Sequence, residues 1–170
     1  TRSYGDWSSD VCSSDLFANI YKGLWSEMTK TYKGIYKPTN PKKYAGDPSN
    51  IVYRSNWERR FMVYCDKNDD IIFWASEELP IPSYNPVTKK VHRYFPDFII
   101  KTSKGKRFMI EIKPSRQSVR PKTPKRKTKS YMRENMEYIK NQAKWSAAME
   151  YCEHNNMKFK IITEKELGKY

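Results

Sequence analysis

The sequence of 170 residues predicts an α/β (α+β) fold, a mixed β-sheet flanked by helices in the order α-β-β-β-α-β. Three observations carry that expectation. Two apolar strand patterns, residues 97–101 and 107–113, flank a loop that contains glycine. A helical pattern precedes them and a longer one follows. A final apolar run, residues 157–162, comes after the long helix, and a strand reached through a crossover helix lies parallel to an earlier strand.

Residues 1–16 do not match the rest. They are rich in Ser and Asp, whereas the remainder is rich in Lys and Arg. The segment reads either as a translated sequencing-adapter peptide or as a natural polar tail. Either way disorder is expected and no function is assigned. Residues 17–42 are expected to be a helical segment and linker: Tyr21, Trp25, Tyr32 and Tyr36 recur at helical spacing, and residues 38–48 hold three prolines. The main domain is expected to span residues 43–170.

Within it, a helix is expected to open after Ser55 or Asn56 and run to about Lys67, with Trp57, Phe61, Tyr64 and Cys65 on its core face. Glu58 sits in the first turn, where a carboxylate favours the helix dipole. Reaching the site described below is its other reading. Residues 71–75 read as a strand, residues 76–82 as its extended continuation and residues 85–90 as a turn. Residues 91–95 lead into the next strand. Glu77 is either a solvated edge carboxylate or a neighbour of the site.

The hairpin fixes the chemistry. A three-residue loop needs glycine at its last position, so Ser103-Lys104-Gly105 is the loop and Thr102 pairs with Lys106. In that register Asp97 lies across from Glu111. Alternation then puts Asp97, Glu111 and Lys113 on one face and Phe98, Ile100, Phe108, Ile110 and Ile112 on the other. Opposed carboxylates about 5 Å apart repel by roughly 3 kcal/mol at an effective dielectric of about 20. A hard divalent cation, Mg²⁺ or Mn²⁺, would reverse that repulsion. This is the PD-(D/E)xK arrangement, which holds a metal beside a phosphodiester. Lys113 could orient or help deprotonate the attacking water, or neutralise phosphate charge. The plain alternative is a solvated hairpin face.

Charge agrees with a polyanionic partner. Net charge is +14, from 33 Lys and Arg against 19 Asp and Glu. No apolar run reaches membrane-spanning length and no signal-peptide pattern is present. The three cysteines, Cys12, Cys65 and Cys152, form no CxxC, and two histidines, His92 and His154, disfavour a histidine-ligated metal. His92 is either a solvated strand residue or a phosphate contact. Residues 114–133 hold Arg116, Arg120, Lys122, Lys125, Arg126, Lys127, Lys129 and Arg133 without an acid, and three prolines are expected to keep them extended. That is a solvated loop when free and a clamp on double-stranded DNA when bound.

The long helix is expected over residues 131–155, with Tyr138, Gln142, Trp145, Met149 and Cys152 as its core stripe. Asn141 and Gln142 are candidate accessory residues, and Lys144 is either a nucleic-acid contact or equally a surface lysine.

Several blocks together carry a resemblance. They are Lys43-Tyr44-x-Gly46-Asp47-Pro48, Tyr53-Arg54-Ser55-Asn56-Trp57-Glu58, Ser76-Glu77, Ile81-Pro82 and Tyr94-Phe95-x-Asp97. Further along come Ile110-Glu111-Ile112-Lys113-Pro114, Lys144-Trp145-x-Ala147-Ala148 and Phe159-x-Ile161-Ile162-Thr163-Glu164. Over about residues 43–167 the chain resembles the head-completion nucleases of T4-like tailed phages. That resemblance implies a restriction-endonuclease-like fold and Mg²⁺-dependent DNA cleavage at the end of packaging. It makes Asp97, Glu111 and Lys113 the catalytic core, with the Ile112 carbonyl as a further metal ligand and Glu58 as an accessory acid. It also implies capsid, portal or neck partners, and a place in the host cytoplasm during assembly or in the virion. A transposase endonuclease subunit, a junction resolvase and a non-catalytic DNA-binding head protein are the alternatives.

Overall fold

The central sheet of the computed structural model, which describes residues 33–167, is built around the hairpin. Strands β1 (Gly34–Tyr36) and β2 (Ile51–Tyr53) pair antiparallel ahead of helix α1 (Asn56–Lys67). Then follow β3 (Ile71–Ser76), β4 (Ile81–Asn85), β5 (Lys90–Tyr94), β6 (Phe98–Thr102) and β7 (Arg107–Ile112). A short helix α2 (Ser115–Ser118), the long helix α3 (Lys129–His154), β8 (Lys158–Ile162) and α4 (Glu164–Leu167) complete the chain.

Four strands form the sheet in the order β3-β6-β7-β8. The first two pairings are antiparallel and β7 with β8 is parallel. The mixed sheet expected from sequence is therefore present. Phe98 faces Ile110 and Lys101 faces Arg107, which is the register set by the loop. Gly105 adopts φ +75°, the left-handed conformation the loop requires. The Thr102 amide donates to the Lys106 carbonyl at 2.9 Å.

Each face of the sheet buries a helix. Phe98, Ile100, Ile110 and Ile112 pack with Phe61, Met62, Tyr64 and Cys65 of α1. The Phe61 and Phe98 rings stand 4.8 Å apart. Met109, on the opposite face, packs with Ala148 and Cys152 of α3. Such a two-sided sheet with one helix per face is the restriction-endonuclease-like core.

Several expectations need correction. Residues 34–36 are a strand, not the end of a helix or linker, because Tyr36 is drawn into the core. Its hydroxyl donates to the buried Asp66 carboxylate at 3.0 Å, and the Thr39 and Asn40 amides donate to the same carboxylate at 2.6 and 2.9 Å. The helix and tail expected before residue 33 lie outside the described residues. The segment after β3 does not continue the strand: Glu77 takes φ +54° and turns the chain away. Strands β4 and β5 then form their own antiparallel hairpin, and Ile81 and Tyr94 pack into the α3 cluster. Residues 114–133 are not extended throughout. Arg116 lies on α2, and Lys129 and Arg133 lie on α3, which starts two residues earlier than expected with Thr128 as its cap. The buried stripe of α3 is Asn141, Trp145, Ala148 and Cys152, so Tyr138, Gln142 and Met149 flank it half-buried. Cys65 and Cys152 are buried free thiols. No helix among the described residues is long and apolar enough to cross a membrane.

Candidate active site

The acidic centre sits where three chain segments meet. Asp97 immediately precedes β6, Glu111 lies near the end of β7, and Lys113 is the first residue beyond it. The Ile112 amide donates to Asp97 Oδ2 at 2.7 Å, which fixes Asp97 against the end of β7. Lys113 Nζ meets Glu111 Oε1 at 3.1 Å. The three side chains are therefore gathered on one face as the register requires.

At Glu111 this face is withdrawn from solvent. Glu111 is only 2 % exposed. A buried carboxylate needs partners, and Glu111 has two: Lys113, and the Tyr94 hydroxyl, which donates to Oε2 at 2.6 Å. Burial, together with the charge of Glu111, pushes the Asp97 carboxyl up to about 8, against the opposing pull of Lys113 and the Ile112 amide. Burial would depress Lys113, but Glu111, Asp97 and Glu58 outweigh it and hold its pKa above the ordinary lysine value. Lys113 is accordingly an ammonium in this state. That suits charge neutralisation and water orientation better than proton abstraction.

Glu58 is chiefly a cap. Ser55 Oγ accepts from the Glu58 amide at 3.1 Å, while Glu58 accepts from the Arg54 amide at 2.6 Å and from Ser55 Oγ at 2.8 Å. The Ser-x-x-Glu spacing is the sequence signal for this capping box. Its charge nonetheless reaches the centre, raising the pKa of both Asp97 and Lys113. Glu77 is at the rim rather than free in solvent: its side chain pairs with Arg54 and its amide donates to the Asp97 carbonyl at 3.3 Å.

Lys144 lies 5.8 Å from the centre of the Tyr94 ring, so α3 reaches the site through that tyrosine. Asn141 is buried beside Trp145 on the α3 stripe and its Nδ2 has no hydrogen-bond partner, while Gln142 is half-buried. Arg116, Arg120, Lys122, Lys125, Arg126, Lys127 and Lys129 are all exposed, and none forms an ion pair among the described residues. The start of this segment is held by Glu164, which accepts from the Ser115 amide at 2.7 Å and from its hydroxyl. Tyr94 and Arg54 were given no role on sequence grounds. Neither side chain has a spacing signal, because Tyr94 reaches Glu111 and the Arg54 guanidinium reaches Glu77 only through tertiary packing.

The donor set suits a hard divalent cation. Two carboxylates stand together at high cost in a site with one ammonium, and the raised Asp97 pKa records that cost. Among the described residues no three His, Cys, Asp or Glu side chains cluster as a metal site. An ion here would take Asp97 and Glu111, main-chain oxygen such as the Ile112 carbonyl, and water. Mg²⁺ commonly binds through one or two carboxylates and keeps several waters.

Comparison with known proteins decides the family. A model described as TnsA-like endonuclease N terminal matches residues 68–164, which include Asp97, Glu111 and Lys113. The chain belongs to the TnsA-like endonucleases. This is a PD-(D/E)xK-type group, so the chain is a nuclease and its substrate is DNA. The chain is also 42 % identical over 140 residues to the head completion nuclease of Enterobacteria phage T4, covering 80 % of this chain and 93 % of that protein. The TnsA-like match begins beyond α1 and thus omits Glu58 and Arg54.

Proposed function

We propose that this TnsA-like endonuclease is a Mg²⁺- or Mn²⁺-dependent enzyme that hydrolyses phosphodiester bonds of double-stranded DNA during phage head completion. The observation that carries the reading is the half-buried Asp97 beside the buried Glu111, with Lys113 on Glu111, in a chain similar to the T4 head completion nuclease across almost all of that protein. That length of similarity favours head completion over a transposase subunit. Capsid, portal or neck proteins would then be partners, met in the host cytoplasm during assembly or retained in the virion.

Asp97, Glu111 and the Ile112 carbonyl would hold the ion. When bound, it would supply Lewis-acid charge at the phosphoryl oxygen and lower the pKa of a water. Lys113 would stabilise charge developing on the phosphate. Tyr94 fixes the Glu111 carboxylate in place, as hydrogen bonds behind a metal ligand commonly do. Glu58 caps α1 and adds negative field. The exposed cations of residues 114–133, with Lys144, would track the DNA backbone.

The test is cleavage of supercoiled and linear plasmid in Mg²⁺ or Mn²⁺ with EDTA controls, comparing the wild type with Glu111→Ala and following DNA binding by both. Metal-dependent cutting that Glu111→Ala abolishes, with binding retained, is expected. Binding without cutting by folded wild type under every metal would sink the catalytic reading and favour a structural DNA-binding head protein.

A further inference from the structure

Beside the catalytic centre, the β4–β5 hairpin and α3 enclose a small cleft. Ser83, His92, Arg93, Tyr94, Lys140 and Lys144 line it. Four of these side chains are basic types and no carboxylate is among the lining residues. Glu137 approaches Lys140 only at 3.9 Å, on an exposed helix surface. Lys144 stands over the Tyr94 ring at 5.8 Å, and the Tyr94 hydroxyl donates to Glu111 at 2.6 Å. One side chain thus separates the cleft from the proposed metal ligand.

Size decides what the cleft accepts. Its volume is about 30 Å³. A single water needs roughly 10–15 Å³ on the same measure, so there is room for about two waters or for the oxygens of one phosphate. A nucleobase does not fit. Cations gathered from two different elements around so small a space match a single dense anion.

We propose that this cleft is a second phosphate subsite, taking one non-scissile phosphodiester of the DNA strand next to the one being cut. Arg93, Lys140 and Lys144 supply the positive charge, and His92 and the buried Ser83 complete the lining. This inference rests on the DNA-nuclease reading. Its consequence is positional: a phosphate held here sets the strand's register relative to Glu111 without reading any base. The β4–β5 hairpin thereby has a role in substrate alignment rather than in the central sheet.

The test is the salt dependence of DNA binding for wild type, Arg93→Ala/Lys140→Ala, and a control, Lys104→Ala, at the tip of the β6–β7 loop far along the sheet. Both cleft positions avoid the core, and circular dichroism verifies folding. Loss of one phosphate contact lowers the slope of log affinity against log salt by about 0.9, and weakens binding about eightfold at 0.1 M salt. The expected result is one such loss for the double variant and little change for the control. A second arm uses DNA with single methylphosphonates placed along the strand near the cut. One position should weaken wild-type binding and leave the double variant indifferent. A double variant no different from the control, or a loss of about two contacts as two independent rim cations would give, overturns the subsite. These readouts do not depend on cutting. A wild type that binds but never cuts condemns the nuclease reading, whereas wild-type cutting that Glu111→Ala abolishes, with unaltered double-variant binding, condemns only the cleft.

Discussion

At the scale of single residues, the site is governed by what burial does to a pair of carboxylates. Asp97 holds its proton to about pH 8 because burial and Glu111 disfavour its charge. The sign follows directly. The folded state binds more protons than the unfolded chain between the ordinary carboxylate pKa and about 8, so in that window this group's contribution to stability falls as pH rises. A metal ion bound by Asp97 must displace that proton. Apparent Mn²⁺ affinity should therefore climb about tenfold per pH unit from about pH 6 and level off near 8, measured by titration calorimetry on DNA-free protein. Affinity independent of pH across that window would contradict Asp97 as a ligand. Tyr94→Phe tests the partner of Glu111. It leaves a buried carboxylate oxygen without its donor. The Mg²⁺ concentration needed for half-maximal cleavage should rise on the order of tenfold, with stability lowered by about 1–3 kcal/mol. A purely structural tyrosine would move the melting temperature and leave the metal titration unchanged.

At the scale of elements, the hairpin and its two helices were legible because short-range rules fix them. Gly105 set the loop, the loop set the register, and alternation sorted the two faces of β6 and β7. The apolar stripe of α1 was readable for the same reason. Its cap is testable: Ser55→Ala should lower stability by about 1 kcal/mol in chemical denaturation, because it strips the acceptor of the Glu58 amide and one donor to the Glu58 carboxylate. A neutral result would mean that Arg54 and its neighbours fix Glu58 unaided. The elements that were misread are those whose shape is set by distant contacts. Strand β1 forms because β2 and Asp66 accept it, and β4 departs from β3 because Glu77 is held by Arg54 and Asp97. The buried stripe of α3 is centred on Asn141 and Trp145, a rotation that the even scatter of apolar residues along that helix did not reveal.

At the scale of the whole molecule, charge and layering work together. The +14 chain places a run of cations, residues 116–129, that form no ion pair among the described residues, on the strand-to-helix connection that leaves the edge carrying Glu111 and Lys113. If about four of these meet phosphates, DNA affinity should fall on the order of 100-fold between 50 and 200 mM salt. Replacing Lys125, Arg126, Lys127 and Lys129 with Ala should flatten that dependence, read by fluorescence anisotropy. An unchanged slope would remove the segment from the DNA path. From the amino-acid order alone come the grouping of Asp97, Glu111 and Lys113 on one face, the mixed sheet and the preference for a polyanion. Each follows from local rules: a two-residue strand period, a glycine-dependent turn and a sum of charges. Only the tertiary structure decided that Glu111 is buried against Tyr94, that Glu58 and Glu77 are engaged with Arg54 and Ser55, and that the β4–β5 hairpin meets α3 in a basic cleft. Those facts depend on which distant side chains share one small volume, and packing, not periodicity, settles that.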